Sequence, residues 1–326
     1  MATSMSNPKI SIRALKAFVA VYEEQSFSKA AERENATQSG MSTQVKNLEI
    51  RLGTDLLVRT RKQFDLTPSG RVVYQEGQAI LRHLLALEKQ VADLAGTASG
   101  LITLGMIPTL TRSVLGLAME GFRAEFPSVE LSLVEEYSGS LLRRVMEGEI
   151  DFAVVPAGDL PTGLKARFIA RDREMLVSRP GELPGLAHMD AVSLSALKGR
   201  RLIVPSSRNV RRGQIESTLQ AHGVHLAELL EMDGMLATIE MIETSDWMAI
   251  LPAALCHADR DGRRRQLNLL SDPPMTIDYV IVQKAEMTLS RAGQSLADRI
   301  AHATQQVASA FDPGGKIAKA EVRHPK

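Results

Sequence analysis

One short segment places hydrogen-bonding side chains at helical spacing on a single face. These side chains are Gln38, Ser39, Ser42, Thr43 and Lys46. Met41 and Val45 fall on the other face. A helix that only packs in a core needs its apolar stripe but no such polar face. Gln pairs with adenine, Ser and Thr suit several base edges, and Lys reaches guanine or phosphate, so the segment has the chemistry to enter a DNA major groove.

A basic cluster follows this segment, at Arg59, Arg61 and Lys62. The whole chain carries a net charge of only +1, but Lys9 to Arg71 contains eleven basic and seven acidic residues. The local excess predicts contacts with phosphates or with the minor groove, which add affinity more than sequence discrimination.

Two later loops have the chemistry of a small-anion site. In GMIPTLTRS, Thr109 and Thr111 enter a helix after a strand, which places hydroxyls and backbone N–H groups at a positive helix end. In VPSSRNVRR, Ser206, Ser207 and Arg208 follow another strand. Arg clamps a carboxylate with two parallel hydrogen bonds, so we expect a carboxylate effector between these loops. The alternative interpretation makes Thr109 only a helix cap and Arg208 only a solvated side chain.

Nothing in the sequence indicates catalysis, a metal or a cofactor. Cys256 is the only cysteine, and the seven His show no metal-ligand spacing. No phosphate-binding glycine motif is present. We therefore predict neither an enzyme nor a metal or cofactor site, and we interpret Cys256 as a buried apolar residue. The basic run Arg260 to Arg265 predicts a solvated turn.

Three short helices must position the polar face. Leu15, Phe18, Val19 and Tyr22 give a first helix its apolar side. Ser26 or Ser28 caps a second helix, and a third runs from near Thr37 to Gly53, which predicts a helix-turn-helix. The segments DLLVRT and QFDLT predict a two-stranded wing around the basic turn.

A long helix follows from the Thr67-Pro68 start to about Gly96. Its apolar residues alternate spacings of four and three, as in a coiled coil: Val73, Gly77, Ile80, Leu84, Leu87, Val91 and Leu94. We expect this helix to pair with a second copy of the chain; the alternative is that it packs on its own domain.

Beyond a glycine-containing joint at 96–100, strands alternate with helices, which predicts crossover units and a parallel sheet. The chain has 326 residues, enough for two or three domains. It has no apolar run long enough for a bilayer and no secretory leader, so we expect a cytoplasmic protein without membrane contact.

The segment SFSKAAERENATQSGMSTQVKNLEIRLGTDLLVRTRKQFDLTPSG resembles the DNA-binding motif of LysR-type transcriptional regulators. The resemblance implies a winged helix-turn-helix, a dimerising linker helix and a two-lobed α/β effector domain similar to periplasmic binding proteins, commonly in a homotetramer. The polar face and the wing fall where the family contacts DNA, and the two later loops fall where it contacts effectors. By the same comparison, Trp247 lies near the effector cleft.

The expected domains are a DNA-binding head at 1–67, a linker helix at 68–96, an effector domain at 97–311 and a tail at 312–326. The expected function is promoter binding modulated by a small effector. A small-molecule binding protein whose N-terminal helices make only protein contacts is the alternative. Glu34 stands where the family usually has an apolar residue, which predicts looser or locally rearranged packing between the second and third helices. Thr43 stands where the family often has Arg.

Overall fold

The structure is a computed structural model that describes residues 10–59, 64–94, 99–207 and 209–311. Contacts divide the chain into two compact units, Met1–Val91 and Ala92–Lys326. The predicted joint at 96–100, apart from its last two residues, and the predicted tail at 312–326 lie outside the described residues. None of the described helices is long and apolar enough to cross a membrane.

The first unit begins with the three predicted helices, which are α1 Ile12–Glu24, α2 Phe27–Arg33 and α3 Gln38–Leu52. Each helix starts at a side-chain cap, provided by Ser11, Ser26 and Thr37 respectively. The third ends at Gly53, whose φ of 70° is the left-handed conformation that glycine adopts without strain. The core is assembled from all three helices, with Phe18 of α1 and Leu48 of α3 fully buried.

A two-stranded antiparallel wing follows, formed by β1 Leu57–Arg59 and β2 Phe64–Leu66. The tip of the predicted wing, including Arg61 and Lys62, lies outside the described residues. The long helix α4 then runs from Pro68 to Leu94, and the Thr67 hydroxyl accepts a hydrogen bond from the Gly70 amide at its start.

The apolar seam of α4 divides into two parts. Val73 packs against the core of the head, and a Cβ on Gly77 would lie 2.8 Å from Leu15 Cδ1 of α1. The first turns therefore pack on the helix's own domain, as the alternative interpretation held for the whole helix. Ile80 and Val91 further along are 47% and 58% exposed within one chain.

The second unit contains two lobes joined by shared strands. The first lobe comprises β3 Gly100–Met106, α5 Pro108–Met119, α6 Phe122–Glu125, β4 Val129–Glu135, α7 Ser138–Glu147, β5 Phe152–Pro156, β12 Thr276–Lys284 and α10 Arg291–Ser309. The second lobe comprises β7 Ala191–Ser193, β8 Arg201–Val204, α8 Val210–Ala221, β9 Glu228–Glu231, α9 Met235–Thr244, β10 Trp247–Pro252 and β11 Gln266–Asp272.

The longest strand, β6 Leu164–Ser178, belongs to both lobes. Its first part pairs with β12 up to Arg173, and its last residues pair with β10 and β11 from Glu174 onward. The main sheet path is β4-β3-β5-β12-β6-β10-β8-β9. The β4-β3-β5 and β9-β8-β10 groups are parallel, but β6, β11 and β12 add antiparallel pairs, so the prediction of a purely parallel sheet is wrong.

Each lobe has its own hydrophobic core. In the first lobe, Phe152 of β5 and Leu296 of α10 are fully buried in one large cluster. In the second lobe, two clusters flank the sheet, one around Trp247 and Ile242 and the other around Leu202. Separate cores allow each lobe to keep its packing if the lobes change their relative closure.

A substitution at Gly70 tests how closely the long helix packs against the wing. An alanine Cβ there would lie 2.1 Å from the backbone oxygen of Leu56, which cannot move as a side-chain tip does. We expect Gly70→Ala to lower the free energy of unfolding of the head by about 2–3 kcal/mol, measured by urea denaturation. Gly116→Ala, in α5 with no atom within 4 Å of the new Cβ, is the control and should stabilise by roughly 0.5–1 kcal/mol. If Gly70→Ala leaves the free energy of unfolding of the head unchanged, the close contact between Gly70 and the Leu56 backbone is wrong.

Candidate nucleic-acid interface and effector cleft

The polar face of α3 is available to a partner. Gln38, Ser39, Thr43 and Lys46 are exposed and Ser42 is half-buried, while Met41 and Val45 are 3% exposed in the core. Among the residues that the structure describes, no carboxylate forms an ion pair with Lys46. The structure therefore places all five side chains together on the first turns of α3, with Gln38 and Lys46 bonded to no described residue.

Thr43 does not present a free hydroxyl. Its Oγ1 donates a 2.8 Å hydrogen bond to the backbone oxygen of Ser39 within α3. This bond leaves the threonine methyl group as the outward-facing part, and a methyl group suits the C5-methyl of thymine in the major groove.

Gln25 anchors the wing, a role that the sequence did not suggest. The backbone amide of Phe64 in β2 donates to Gln25 Oε1 at 2.7 Å, and Gln25 Nε2 donates to the Phe64 oxygen at 3.0 Å. The side chain thus binds the strand as a neighbouring strand would. Glu49 Oε1 accepts from the Leu56 and Leu57 amides, which fixes the entry to β1. A wing anchored at both strands holds Arg59, at the end of β1, in a defined place relative to α3.

Glu34 changes the contacts at the edge of α2 locally, the second of the two expected outcomes. It forms the C-terminal cap of α2, where its side chain is 14% exposed. Lys16 of α1 pairs with it at 2.9 Å, and Arg33 Nε lies 3.7 Å away. Ala30 and Ala31 still pack in the core of the head. The carboxylate replaces an apolar contact by an ion pair at the edge of that core.

The effector domain has a cleft where strands end and helices begin. Helices α5, α7 and α9 follow the carboxyl ends of β3, β4 and β9, and none of them has a side-chain hydrogen bond at its N-cap. By contrast, α1, α2, α3, α8 and α10 are all capped by a Ser, Thr or Asn side chain. Uncapped N–H groups are free to bind a ligand.

The two predicted threonines differ in their availability. Thr109 is 6% exposed, and no described group forms a hydrogen bond with its hydroxyl. Thr111 Oγ1 instead donates to the Ile107 oxygen at 3.2 Å, inside the first turn of α5. Thr109 is thus the better placed of the two for a ligand.

On the opposite lobe, Ser206 is buried and Ser207 is exposed after β8, while Arg208 lies outside the described residues. The Ser206 amide donates to Asp233 Oδ1 at 2.9 Å. Tyr137, at the start of α7 in the first lobe, donates its hydroxyl to the backbone oxygen of Asp233. Tyr137 and Asp233 therefore join the two lobes across the cleft, and no motif in the sequence pointed to either residue.

Trp247 is not brought to this cleft. It is the first residue of β10 and pairs with Arg201, the first residue of the parallel strand β8. Ser206 follows the other end of β8, about 13 Å away for four residues of strand. The indole is 8% exposed, packs in the second lobe's core and lies 5.7 Å from the Arg201 guanidinium. We therefore remove Trp247 from the expected effector contacts.

A buried polar cluster occupies the place where β6 passes between the lobes. Arg211 of α8 donates two 2.7 Å hydrogen bonds to Glu174 and a third to the Ile250 oxygen. Asp172 accepts from the Arg173 and Ala254 amides at 2.9 and 2.8 Å. Burial raises the pKa of Asp172 to about 7, opposed by its two backbone hydrogen bonds.

The basic run at 260–265 is only partly the solvated turn that we expected. Arg264 is exposed and pairs with Glu243, but Arg265 is 2% exposed and pairs with both Asp259 and Glu243. Burial of the Arg265 guanidinium is possible because the carboxylates of Asp259 and Glu243 both form ion pairs with it. The run lines a cavity of about 610 Å³ between Arg112 of α5 and the helix α9.

Within the described ranges, no cluster of His, Cys, Asp and Glu has the makeup of a metal site. Cys256 is buried, as the sequence indicated, and burial raises the pKa of its thiol. A helix-turn-helix head with an unoccupied polar face and a two-lobed domain with an interlobe cleft define a DNA-binding, ligand-responsive transcriptional regulator.

Comparison with known families agrees with this class. Residues 12–71 match the bacterial regulatory helix-turn-helix protein, lysR family, and residues 95–305 match the LysR substrate binding domain. The second match alone covers more than half of the chain. The protein belongs to the LysR family of transcriptional regulators, whose members bind DNA, oligomerise and are not enzymes.

Individual relatives are distant. The nitrogen assimilation regulatory protein nac of Escherichia coli is 23% identical over 290 residues, covering 89% of this chain and 93% of that protein. A probable hydrogen peroxide-inducible genes activator of Mycobacterium xenopi is 32% identical over 167 residues, covering 51% of this chain and 88% of that protein.

Solved structures share the fold. Full-length OxyR from Pseudomonas aeruginosa has a TM-score of 0.69 at 19% identity, covering 93% of this chain and 98% of that one. Full-length CbnR complexed with its target DNA has a TM-score of 0.61 at 17% identity, covering 90% and 100%. The family assignment excludes the alternative in which the N-terminal helices make only protein contacts.

Asp172 predicts a specific pH dependence of stability. Its pKa is about 7 in the folded protein against 3.8 for an ordinary Asp side chain, so the folded state holds an extra proton between these values. The stability from this group is complete below about pH 4 and is lost as the pH rises through about 7. We expect Asp172→Asn to flatten the fall in unfolding free energy from pH 5 to 7 by up to about 1.4 kcal/mol per pH unit.

Urea denaturation at a series of pH values measures this slope. Asp246→Asn is the control, because Asp246 is 51% exposed and pairs only at the surface with Arg201. The control should keep the wild-type slope. If Asp172→Asn also keeps it, Asp172 does not hold the proton.

Proposed function

We propose that α3 lies in the major groove and reads the operator with Gln38, Ser39, Ser42, Thr43 and Lys46, while Arg59, Arg61 and Lys62 contact phosphates from the wing. The observation that supports this assignment is the exposed polar face of α3, on which Gln38 and Lys46 are bonded to no described residue of the head. The hydroxyl of Thr37 caps the helix and accepts from the Gly40 amide, so the first turn is rigid where it would enter the groove.

The proposed effector is a small carboxylate bound in the interlobe cleft. Thr109, with its unbonded hydroxyl, and the uncapped starts of α5 and α7 favour an anion on the first lobe. On the second lobe, the proposed contacts are Ser206, Ser207 and Arg208. Thr111 remains a weaker candidate because its hydroxyl already bonds the backbone.

Effector binding would act by shifting the relative closure of the two lobes. A ligand that contacts both lobes stabilises the closed arrangement by its differential affinity for the two states. The exposed part of the α4 seam supports pairing of two copies through the linker helix, since Ile80, Leu87 and Val91 would otherwise remain in water. We therefore propose a homo-oligomer, dimeric or tetrameric, whose DNA-binding heads move with lobe closure.

Lys46 tests the DNA interface. We expect Lys46→Ala to weaken operator binding and to reduce the slope of log affinity against log salt by about 0.9, because one phosphate or base contact with its counterion release is lost. Fluorescence anisotropy on duplexes selected by genomic footprinting measures both quantities. Lys198→Ala, the same charge change at an exposed lysine of the effector domain, is the control and should alter neither. If Lys46→Ala and Lys198→Ala have the same operator affinity and salt slope, the DNA interface does not include Lys46.

Thr109 tests the effector cleft. We expect Thr109→Val, which keeps the side-chain shape, to weaken carboxylate binding by roughly tenfold through loss of one hydrogen bond to a charged group. Thr111→Val is the matched comparison and should change affinity less. The measurement is calorimetry with the best ligand from a thermal-shift screen of acetate, propionate, succinate and benzoate. No stabilisation by any carboxylate, or equal losses in the two variants, would contradict the proposed site.

A further inference from the structure

Within the described residues, the two sides of the cleft offer different groups to a ligand. On the first lobe, the start of α5 has no side-chain cap, Pro108 leaves Thr109 with the first N–H of the helix, and the buried Thr109 hydroxyl has no partner in the part of the chain that the structure describes. This side favours a negative group. On the second lobe, Asp233 lies two residues after β9 and places a carboxylate at the cleft. An anion without a positive group would leave that carboxylate uncompensated by any described residue.

Asp233 keeps an acceptor available. It is half-buried, and its Oδ1 accepts the 2.9 Å hydrogen bond from the Ser206 amide. Across the described ranges, no Lys, Arg or His pairs with it, and no donor is bound to its Oδ2. The neighbouring carboxylate on the first lobe, Glu136, differs because Arg144 pairs with it at 2.8 Å and Ser140 donates to it.

The surroundings of Tyr137 agree with a locally negative region. The pKa of Tyr137 is raised by burial first, and then by the negative charges of Asp233 and Glu135. Its hydroxyl stays protonated and donates to the backbone oxygen of Asp233, which fixes the Asp233 backbone against the first lobe. The carboxylate is thus held at the cleft by groups from both lobes.

From this asymmetry we infer that the effector is a zwitterion, with a carboxylate and an ammonium group in one small molecule, as in an amino acid. Its carboxylate binds the hydroxyl and the backbone N–H of Thr109 at the start of α5. Its ammonium group donates to Asp233 Oδ2. The inference rests on the proposed carboxylate site and adds the second charge. A ligand with both groups neutralises both sides of the cleft, whereas a plain acid leaves Asp233 uncompensated.

Matched probes on the full-length protein test the inference. The probes are the common L-amino acids at millimolar concentration, the same compounds without the amino group (propionate for alanine), and those without the carboxylate (ethylamine for alanine). We expect one or more amino acids to raise Tm, and their single-charge analogues to raise it much less. If plain acids stabilise the protein as well as amino acids do, the zwitterion is wrong and the carboxylate site stands. If only amines act, or if no probe acts, both proposals fail.

A charge-neutral variant isolates the ammonium contact. Asp233→Asn keeps the Oδ1 acceptor for the Ser206 amide and removes the charge, so the loop should remain folded. We expect its amino-acid affinity to fall roughly tenfold or more, with binding of the plain acid unchanged or improved. Glu228→Gln, at the far end of β9 and 55% exposed, is the control and should bind as wild type does. Unchanged amino-acid affinity in Asp233→Asn, measured by calorimetry, would overturn the inference.

Discussion

Strand β6 is the constraint on which the effector domain depends, because it carries hydrogen bonds of both lobes in one continuous segment. The change of partners falls between Arg173 and Glu174. On either side of that point, Asp172 and Glu174 are 1% exposed and bonded, to the Ala254 amide and to Arg211 respectively. A buried carboxylate is tolerated only with such partners. The polar cluster therefore lies at the point where β6 passes from one lobe to the other. We expect the backbone to bend near this point if the two lobes change their relative closure.

In the head, the long helix combines two functions along its length. Near Gly77 it approaches α1 so closely that a Cβ would meet Leu15, which ties the helix to the core of its own domain. Further along, Ile80 and Leu87 have no such cover. A heptad pattern cannot distinguish these cases, since both require apolar residues at the same spacing. The glycine within the seam was the informative residue, because a coiled-coil core gains nothing from a position without a side chain.

The sequence predicted single helices better than the contacts between distant parts of the chain. Caps at Thr37 and Gly53 act over a few residues, so α3 was predicted with its bounds and its polar face. In β6, Arg171 and Asp172 interrupt the apolar pattern and find their partners only in the folded lobes, so the sequence could not predict their pairing. Trp247 was placed near the cleft by comparison, although its strand position sets it at the opposite end of the sheet. Tyr137 and Asp233, 96 residues apart, meet through tertiary structure alone.

Three helices that begin at the interlobe cleft lack a side-chain cap. They are α5, α7 and α9, which begin at Ile107, Tyr137 and Gly234; the four-residue α6 also lacks one, whereas α1, α2, α3, α8 and α10 begin at Ser, Thr or Asn side chains. Leaving a cap unmade costs about 1 kcal/mol per helix, so three omissions at one cleft are expensive unless another group satisfies the N–H donors. At α9 the preceding Asp233 supplies negative charge nearby. At α7, Glu136 lies two residues before the helix and accepts from Ser140 of its first turn. At α5, Pro108 has no N–H, so the Thr109 amide and hydroxyl are the donors that remain for a ligand.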